Sequence, residues 1–197
     1  MDEIALIQAA RNGDLDSFNH LVLAYQDLVY NQAFRMIGEK ESADDATQNT
    51  FISAYNHIKS FRGGSFKAWL LRIVTNACYD ELRRRKRQPT IPLEPMDDDG
   101  EEVESAKWMV DPLDQPEEQV QQAELQRAIQ HCLDNLPGDF RATVIMVDIQ
   151  GLDYFEAAAA IGKPIGTIKS RLARARLRLR DCLHGFGELL PAGFRLE

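Results

Sequence analysis

Cysteine is scarce in this chain. Cys78, Cys132 and Cys182 are the only three, an odd number at wide spacings. They form no CxxC pair, so neither a zinc site nor a disulfide framework is expected, and all three read as reduced thiols in a cytosolic protein. Long apolar runs are missing too. None approaches the ~20 residues a membrane span needs, and the acidic start MDEIALIQAARNGD does not read as a signal peptide. Membrane insertion is therefore not expected. No stretch shows the apolar-polar alternation of a strand. His20, His57, His131 and His184 are scattered. Asp44 and Asp45 are adjacent, and about 100° of helix rotation between them makes a poor clamp for one ion. Neither an enzyme nor a cofactor is expected.

A surplus of positive charge is also absent. The net charge is −8, which at first argues against a nucleic-acid partner. The charge is unevenly spread, however. Residues 89 to 118 hold eleven acidic side chains and one basic one, a net of −10, which leaves +2 for the rest of the chain. That stretch contains Pro89, Pro92, Pro95, Pro112 and Pro116 and the run Asp97-Asp98-Asp99-Gly100-Glu101-Glu102. Proline blocks helix and like charges repel, so it reads as an extended connector. Trp108, Met109 and Val110 form an apolar island in it, which could dock on a partner or on the chain's own domains.

What remains is helical. Ile4 to Arg11 predicts a short amphipathic helix. Asp14 or Asp16 can cap a longer one to Ile37, with Phe18, Leu21, Val22, Tyr25, Leu28, Val29, Ala33, Phe34 and Ile37 on the 3.6-residue period. Gly38 ends it. Ser42 is expected to cap a third helix to Ile58, with Ala46, Phe51, Ala54, Tyr55 and Ile58 inward. After the loop Phe61 to Ser65, a fourth runs from about Ser65 into Arg83-Arg84-Arg85-Lys86-Arg87. Beyond the connector, Glu118 to Asn135 predicts a helix with Val120, Leu125, Ile129, Cys132 and Leu133 inward. Leu136-Pro137-Gly138 breaks it, and Arg141 to Ile149 forms another. The reading is all-α: two small helical domains, 1–87 and 118–184, joined by an acidic, Pro-rich linker at 88–117 and followed by a tail at 185–197. The second domain carries a helix-turn-helix.

That motif lies in Asp153 to Leu183. Asp153 with Glu156 three residues on matches a capping box. Ala157, Ala158 and Ile161 offer a small inward face, Gly162 a turn residue free to take positive φ, and Pro164 a helix start. Ile168, Leu172, Ala175, Leu179 and Leu183 then form one apolar stripe. From Lys163 to Arg180 there are seven basic residues and no acidic one. A helix basic wherever it is not buried, after a short helix and a glycine turn, suits the DNA major groove. Thr167 and Ser170 near its N-terminus can donate to phosphates or base edges.

In the first domain, Trp69, Arg72, Asn76 and the five-residue basic end stand behind a glycine loop basic at Arg62. Aromatic and basic groups together serve single-stranded nucleic acid by stacking and phosphate neutralisation. The third helix shows a polar face of Asp44, Asp45, Gln48, Asn49 and Ser53, open to reading as a protein-binding surface or as a solvated one.

Two motifs resemble the bacterial sigma factors of the extracytoplasmic-function type. Asp45-Ala46-Thr47-Gln48-Asn49-Thr50-Phe51, then Phe61-Arg62-Gly63, Phe66, Trp69-Leu70, Arg72-Ile73 and Asn76, is similar to the family's second region. Leu136-Pro137, Phe140-Arg141, Gly151-Leu152, Tyr154, Glu156, Pro164 to Leu172 and Arg174-Ala175-Arg176 resembles the fourth. The resemblance implies a cytoplasmic promoter-specificity subunit whose partners are core RNA polymerase, promoter DNA and an anti-sigma factor. It implies polymerase binding by Asp44, Asp45, Gln48 and Asn49. Recognition of the −10 element would fall to Phe61, Arg62, Gly63, Ser65, Trp69, Arg72, Asn76, Arg83 and Arg84, and of the −35 element to Thr167, Lys169, Ser170, Arg171, Arg174 and Arg178. Asn49 stands where the family usually has Glu, and Phe155 and Ala157 replace a Glu and a bulky aliphatic residue, so the first helix of the reader is expected to pack thinly. The alternative is a conventional helix-turn-helix regulator that never meets core polymerase, which leaves Asp45 to Arg87 unexplained.

Overall fold

The structure, a computed structural model, describes residues 2–87 and 116–189, with side chains of the second stretch from residue 120. The Trp108 island, nearly all of the acidic connector and the last eight residues lie outside the described residues. Eight α-helices follow one another: α1 Glu3–Arg11, α2 Leu15–Ile37, α3 Lys40–His57, α4 Phe66–Arg87, α5 Pro116–Asp134, α6 Gly138–Val144, α7 Tyr154–Ile161 and α8 Ile165–Leu183. Short 3-10 turns follow α3 and α8, and a π turn, Ile145–Ile149, extends α6. No strand occurs among the described residues.

Local chemistry sets most boundaries. Gly38 takes φ 81° and its N–H donates to the Phe34 carbonyl at 2.7 Å, closing α2. Ser65 caps α4, its hydroxyl accepting from the Ala68 N–H at 3.1 Å. The start of α3 departs from expectation. The helix begins at Lys40, and Ser42 lies in its first turn, donating to the Glu39 carboxylate at 2.9 Å. A serine hydroxyl satisfied by a side chain is no longer needed as a cap.

Helices α2, α3 and α4 pack mutually, with α1 along α2. Their core holds Phe18, Leu21, Val29, Met36, Phe51, Phe66, Leu70, Leu71 and Val74. Buried Gln32 donates to the Thr75 hydroxyl at 3.1 Å, a polar clip between α2 and α4. The core of α5 to α8 is built of smaller groups: Ala128, Ala142, Ala157, Ala160 and Ala175 beside Leu133, Ile145, Met146, Ile168 and Leu172. In α7, Ala160 is buried with Ala157, although only Ala157, Ala158 and Ile161 were expected inward. Two other inward expectations fail. Val120 and Tyr55 are exposed, although the Tyr55 ring still meets Phe18 edge-on at 5.1 Å.

The two modules share one continuous core. Helix α7 packs on α4, and α5 and α6 pack on α2. Arg141, only 8% exposed, is the central tie. Its guanidinium donates to the Met36 carbonyl at 2.7 Å and to the Asp134 carboxylate at 2.9 Å. The Met36 carbonyl belongs to the last turn of α2, where the helix dipole favours a cation. Burial pulls the Arg141 guanidinium below its ordinary pKa, and Asp134 opposes that shift. A second tie runs from the Lys67 ammonium to the Gln150 carbonyl, and the Gln150 amide donates on to Leu28 at 3.4 Å.

Cysteine usage requires a correction. Cys132 and Cys182 form a disulfide, and only Cys78 is a free thiol, buried. The pairing is invisible in the sequence because the partners are 50 residues apart, and only the packing of α5 on the end of α8 joins them.

Candidate nucleic-acid interface

The helix-turn-helix forms as its residues predict. The Asp153 carboxylate accepts from the N–H groups of Phe155 at 2.7 Å and Glu156 at 2.8 Å, while Glu156 accepts from the Asp153 N–H at 3.1 Å. Gly162 takes φ 69° and donates to the Ala158 carbonyl at 2.9 Å. The Pro164 carbonyl accepts from the N–H of Thr167 and opens α8. Ile168, Leu172 and Ala175 are buried, so the opposite side of α8 faces out.

At about 100° of rotation per residue, Ser170, Arg174 and Leu177 fall within about 60° of one another opposite that stripe. Ser170 and Arg174 were expected there. Leu177, 50% exposed, was not; exposed Ala173 lies beside it. An apolar residue off the stripe of an otherwise basic helix was the signal available. Both can meet a thymine methyl in the major groove. Lys169 lies 5.8 Å over the Tyr154 ring, and Arg178 lies 5.3 Å over that of Phe140. Thr167 is half-buried on the flank.

The basic residues are not equivalent. Arg171 pairs with Asp139 of α6, and its side chain is 16% exposed. It therefore sits at the edge of the outward face, held from within. Tyr79 of α4 lies beside the same carboxylate; burial first, then Asp139, pushes its phenol up. Arg176 is clamped by both Asp148 oxygens, at 2.9 and 2.6 Å, and Arg180 by Asp181. Arg174 makes no ion pair among the described residues, so its charge is unspent.

On the first module, Trp69, Arg72, Asn76 and Arg83 fall within about 60° on α4. Arg72, Asn76 and Arg83 are exposed and Trp69 is half-buried, packed on Phe66 at 5.4 Å. Arg62, Gly63 and Ser65 stand exposed in the loop before them, where Gly63 and Gly64 take φ 97° and 89°. Phe61 departs from expectation. It is 6% exposed, edge-on to Phe66 at 5.5 Å and tilted on Trp69 at 5.4 Å. It props the loop and Trp69 from beneath and offers no face to a base, because its burial completes the α4 core. Five consecutive basic residues do not make five free charges either. Arg83 pairs with Asp80 at 3.1 Å, Arg84 with Glu81 at 2.8 Å, and Arg85 reaches Glu81, Glu39 and Ser42. The Arg84 hydrogen bond holds Glu81 below the usual carboxylate range.

Asp44, Asp45, Gln48 and Asn49 are all exposed on α3. Ile52, also exposed, continues this side of the helix, with exposed Tyr55 following it. Ile52 and Tyr55 extend the polar face of Asp44, Asp45, Gln48 and Asn49 with a small apolar edge. Sequence reasoning assigned Ala46, Phe51, Ala54, Tyr55 and Ile58 inward and left Ile52 unassigned.

These features define a two-module, all-helical protein with exposed basic helix faces in each module, the second a helix-turn-helix. Residues 21–88 match the family model for Sigma-70 region 2, and residues 126–179 that for Sigma-70, region 4. The chain is 34% identical over 174 residues to the ECF RNA polymerase sigma-E factor of Haemophilus influenzae, spanning 87% of this chain and 90% of that one. It is 33% identical over 178 residues to the ECF sigma factor SigW of Bacillus subtilis, spanning 90% and 94%. Against SigE of Mycolicibacterium smegmatis the identity is 38% over 169 residues, 86% of this chain and 62% of that longer relative. Among solved structures, sigma factor RpoE in complex with the anti-sigma factor NepR from Bartonella quintana superposes with TM-score 0.65 at 28% identity, covering 86% and 98%. CnrH in complex with the cytosolic domain of CnrY gives 0.66 at 25%, covering 93% and 97%. The chain belongs to the ECF RNA polymerase sigma factors of the sigma-70 family.

Proposed function

We propose that this chain binds core RNA polymerase through the α3 face, and directs initiation by reading a −10 element with α4 and its preceding loop and a −35 element with α8. It has no catalytic step of its own, and it works in the cytoplasm, where an anti-sigma protein holds it in check. The observation that carries the reading is the outward face of α8, Ser170, Arg174 and Leu177, on a helix whose Arg171, Arg176 and Arg180 are paired with Asp139, Asp148 and Asp181. The −10 reading rests on Trp69, Arg72 and Asn76, with Arg62, Gly63 and Ser65 in the loop and Arg83 and Arg84 flanking. Extruding a base costs a few kcal/mol, and stacking on an aromatic side chain returns ~1–3 kcal/mol.

Geometry adds a requirement. Elements centred at −10 and −35 are about 25 base pairs apart, or ~85 Å at ~3.4 Å per pair. A compact chain of this size has a radius of gyration of about 16 Å. The modules must therefore part to read both elements. The 28 residues from 88 to 115 can reach up to ~95 Å when extended, enough to let them. The contacts of Arg141 with Met36 and of Lys67 with Gln150 then break.

Run-off transcription with purified bacterial core polymerase tests the reading. Discrete starts that appear only with the chain support it. Duplex binding without any binding to core would instead make this a conventional helix-turn-helix regulator.

A further inference from the structure

The disulfide stands at a mechanically critical place. Cys132 is on α5 and Cys182 in the last turn of α8, with Cα atoms 5.7 Å apart. Between these helices the disulfide is the one covalent tie among the described residues. Ala128 and Ala175 are the buried residues nearby on each, and the 3-10 turn after α8 adds Phe186, edge-on to His131 at 5.8 Å. The module they close spans about 70 residues and has an alanine-rich core. Modules of this size gain little stability from apolar burial alone and lean on added cross-links. The two sulfurs also differ in access: Cys132 is 1% exposed, whereas Cys182 is half-buried.

We infer that Cys132 and Cys182 are a reversible oxidation site that sets the stability, and with it the DNA-reading competence, of the α5–α8 module. The inference about DNA rests on the proposed promoter reading; the inference about stability does not. The oxidant is hydrogen peroxide. The Cys182 thiolate attacks the peroxide oxygen, an S–O bond forms, the O–O bond breaks, and the departing oxygen takes a proton and leaves as water. The Cys132 thiol, held against it, then attacks the sulfenic sulfur, the S–S bond forms, and the displaced hydroxide takes the Cys132 proton and leaves as a second water. Two thiols have lost two electrons, and the peroxide has gained them. A small dithiol reverses the step by attacking the accessible Cys182 sulfur. Oxidation staples α8 to α5; reduction releases the end of the reader. Cys78 takes no part. It is fully buried, and burial pushes its thiol up to about 12, so it stays protonated and unreactive.

The test uses the full chain, treated with hydrogen peroxide or dithiothreitol, with Cys182→Ser and Cys132→Ser beside it. Intact-mass measurement after alkylation of the unfolded chain counts thiols. One alkylated thiol after peroxide, three after dithiothreitol, and a melting temperature lower by about 5–15 °C in the reduced chain are expected. Neither serine variant should show a redox-dependent melting temperature. The reduced chain should also bind a −35 duplex several-fold more weakly near its melting temperature. Three thiols persisting after excess peroxide would overturn the inference. So would superimposable melting curves for oxidised and reduced chain. A pair that switches in a chain that does not bind core polymerase would leave this inference standing and remove the promoter reading.

Discussion

Arg141→Met isolates the tie between the two modules. The substitution keeps an apolar stem of similar length and removes the guanidinium. Three consequences follow from the contacts. The Met36 carbonyl, at the end of α2, loses its donor at 2.7 Å. Asp134 loses its partner, but its side chain is 42% exposed, so water replaces much of what it had. The charge itself no longer has to be held in a nearly buried site, which offsets part of the loss. A hydrogen bond from a charged donor contributes ~1.5–3 kcal/mol, and the bond to Met36 is the one that crosses between modules. Removing it shifts the balance between closed and open arrangements roughly ten- to hundred-fold toward open, since ~1.4 kcal/mol is a factor of ten. Small-angle X-ray scattering of the free chain reads this directly as a larger radius of gyration. Affinity for a −35 duplex should rise or hold, because α8 itself is untouched. An unchanged radius of gyration with a stability loss under ~0.5 kcal/mol would refute the reasoning and make Arg141 a passive space-filler.

Other outcomes follow from the same contacts. Arg174→Ala should weaken −35 binding by ~1–3 kcal/mol in a sequence-dependent way, whereas Arg171→Ala should weaken it equally on all sequences, because Asp139 holds that guanidinium; competition binding with scrambled duplexes separates the two. Asp153→Ala removes both N-cap bonds of α7 and should cost ~0.5–2 kcal/mol in urea denaturation. Ile52→Lys, or Asp45→Ala with Gln48→Ala, should abolish co-elution with core polymerase while leaving the circular dichroism spectrum unchanged. Glu81 has a depressed pKa in the fold, owing first to Arg84. Its contribution is therefore present at neutral pH and lost as pH falls through the folded pKa, below the ordinary carboxylate range. Glu81→Gln should flatten that part of the acid-stability profile.

Much of this protein was legible from residues alone, because the determining forces act within a turn or two of helix. The capping box at Asp153 and Glu156 joins groups three residues apart, and Gly38 and Gly162 end their helices through a backbone freedom that needs no partner. The inward stripe of α8 is set by periodicity, and with it the outward face that carries Ser170, Arg174 and Leu177. Where sequence reasoning failed, the cause was packing between side chains that a pattern of single residues does not show. An exposed-loop phenylalanine became core because α4 brought Phe66 and Trp69 onto Phe61. Basic residues looked equivalent until the fold set Asp139, Asp148 and Glu81 beside some and nothing beside Arg174. Cys132 and Cys182, read as separate thiols, meet because α5 runs along α8. The local code determined the helices and the helix-turn-helix; which α8 arginines are paired across the fold and how the modules lock together were decided only when residues 28 to 105 positions apart came into contact.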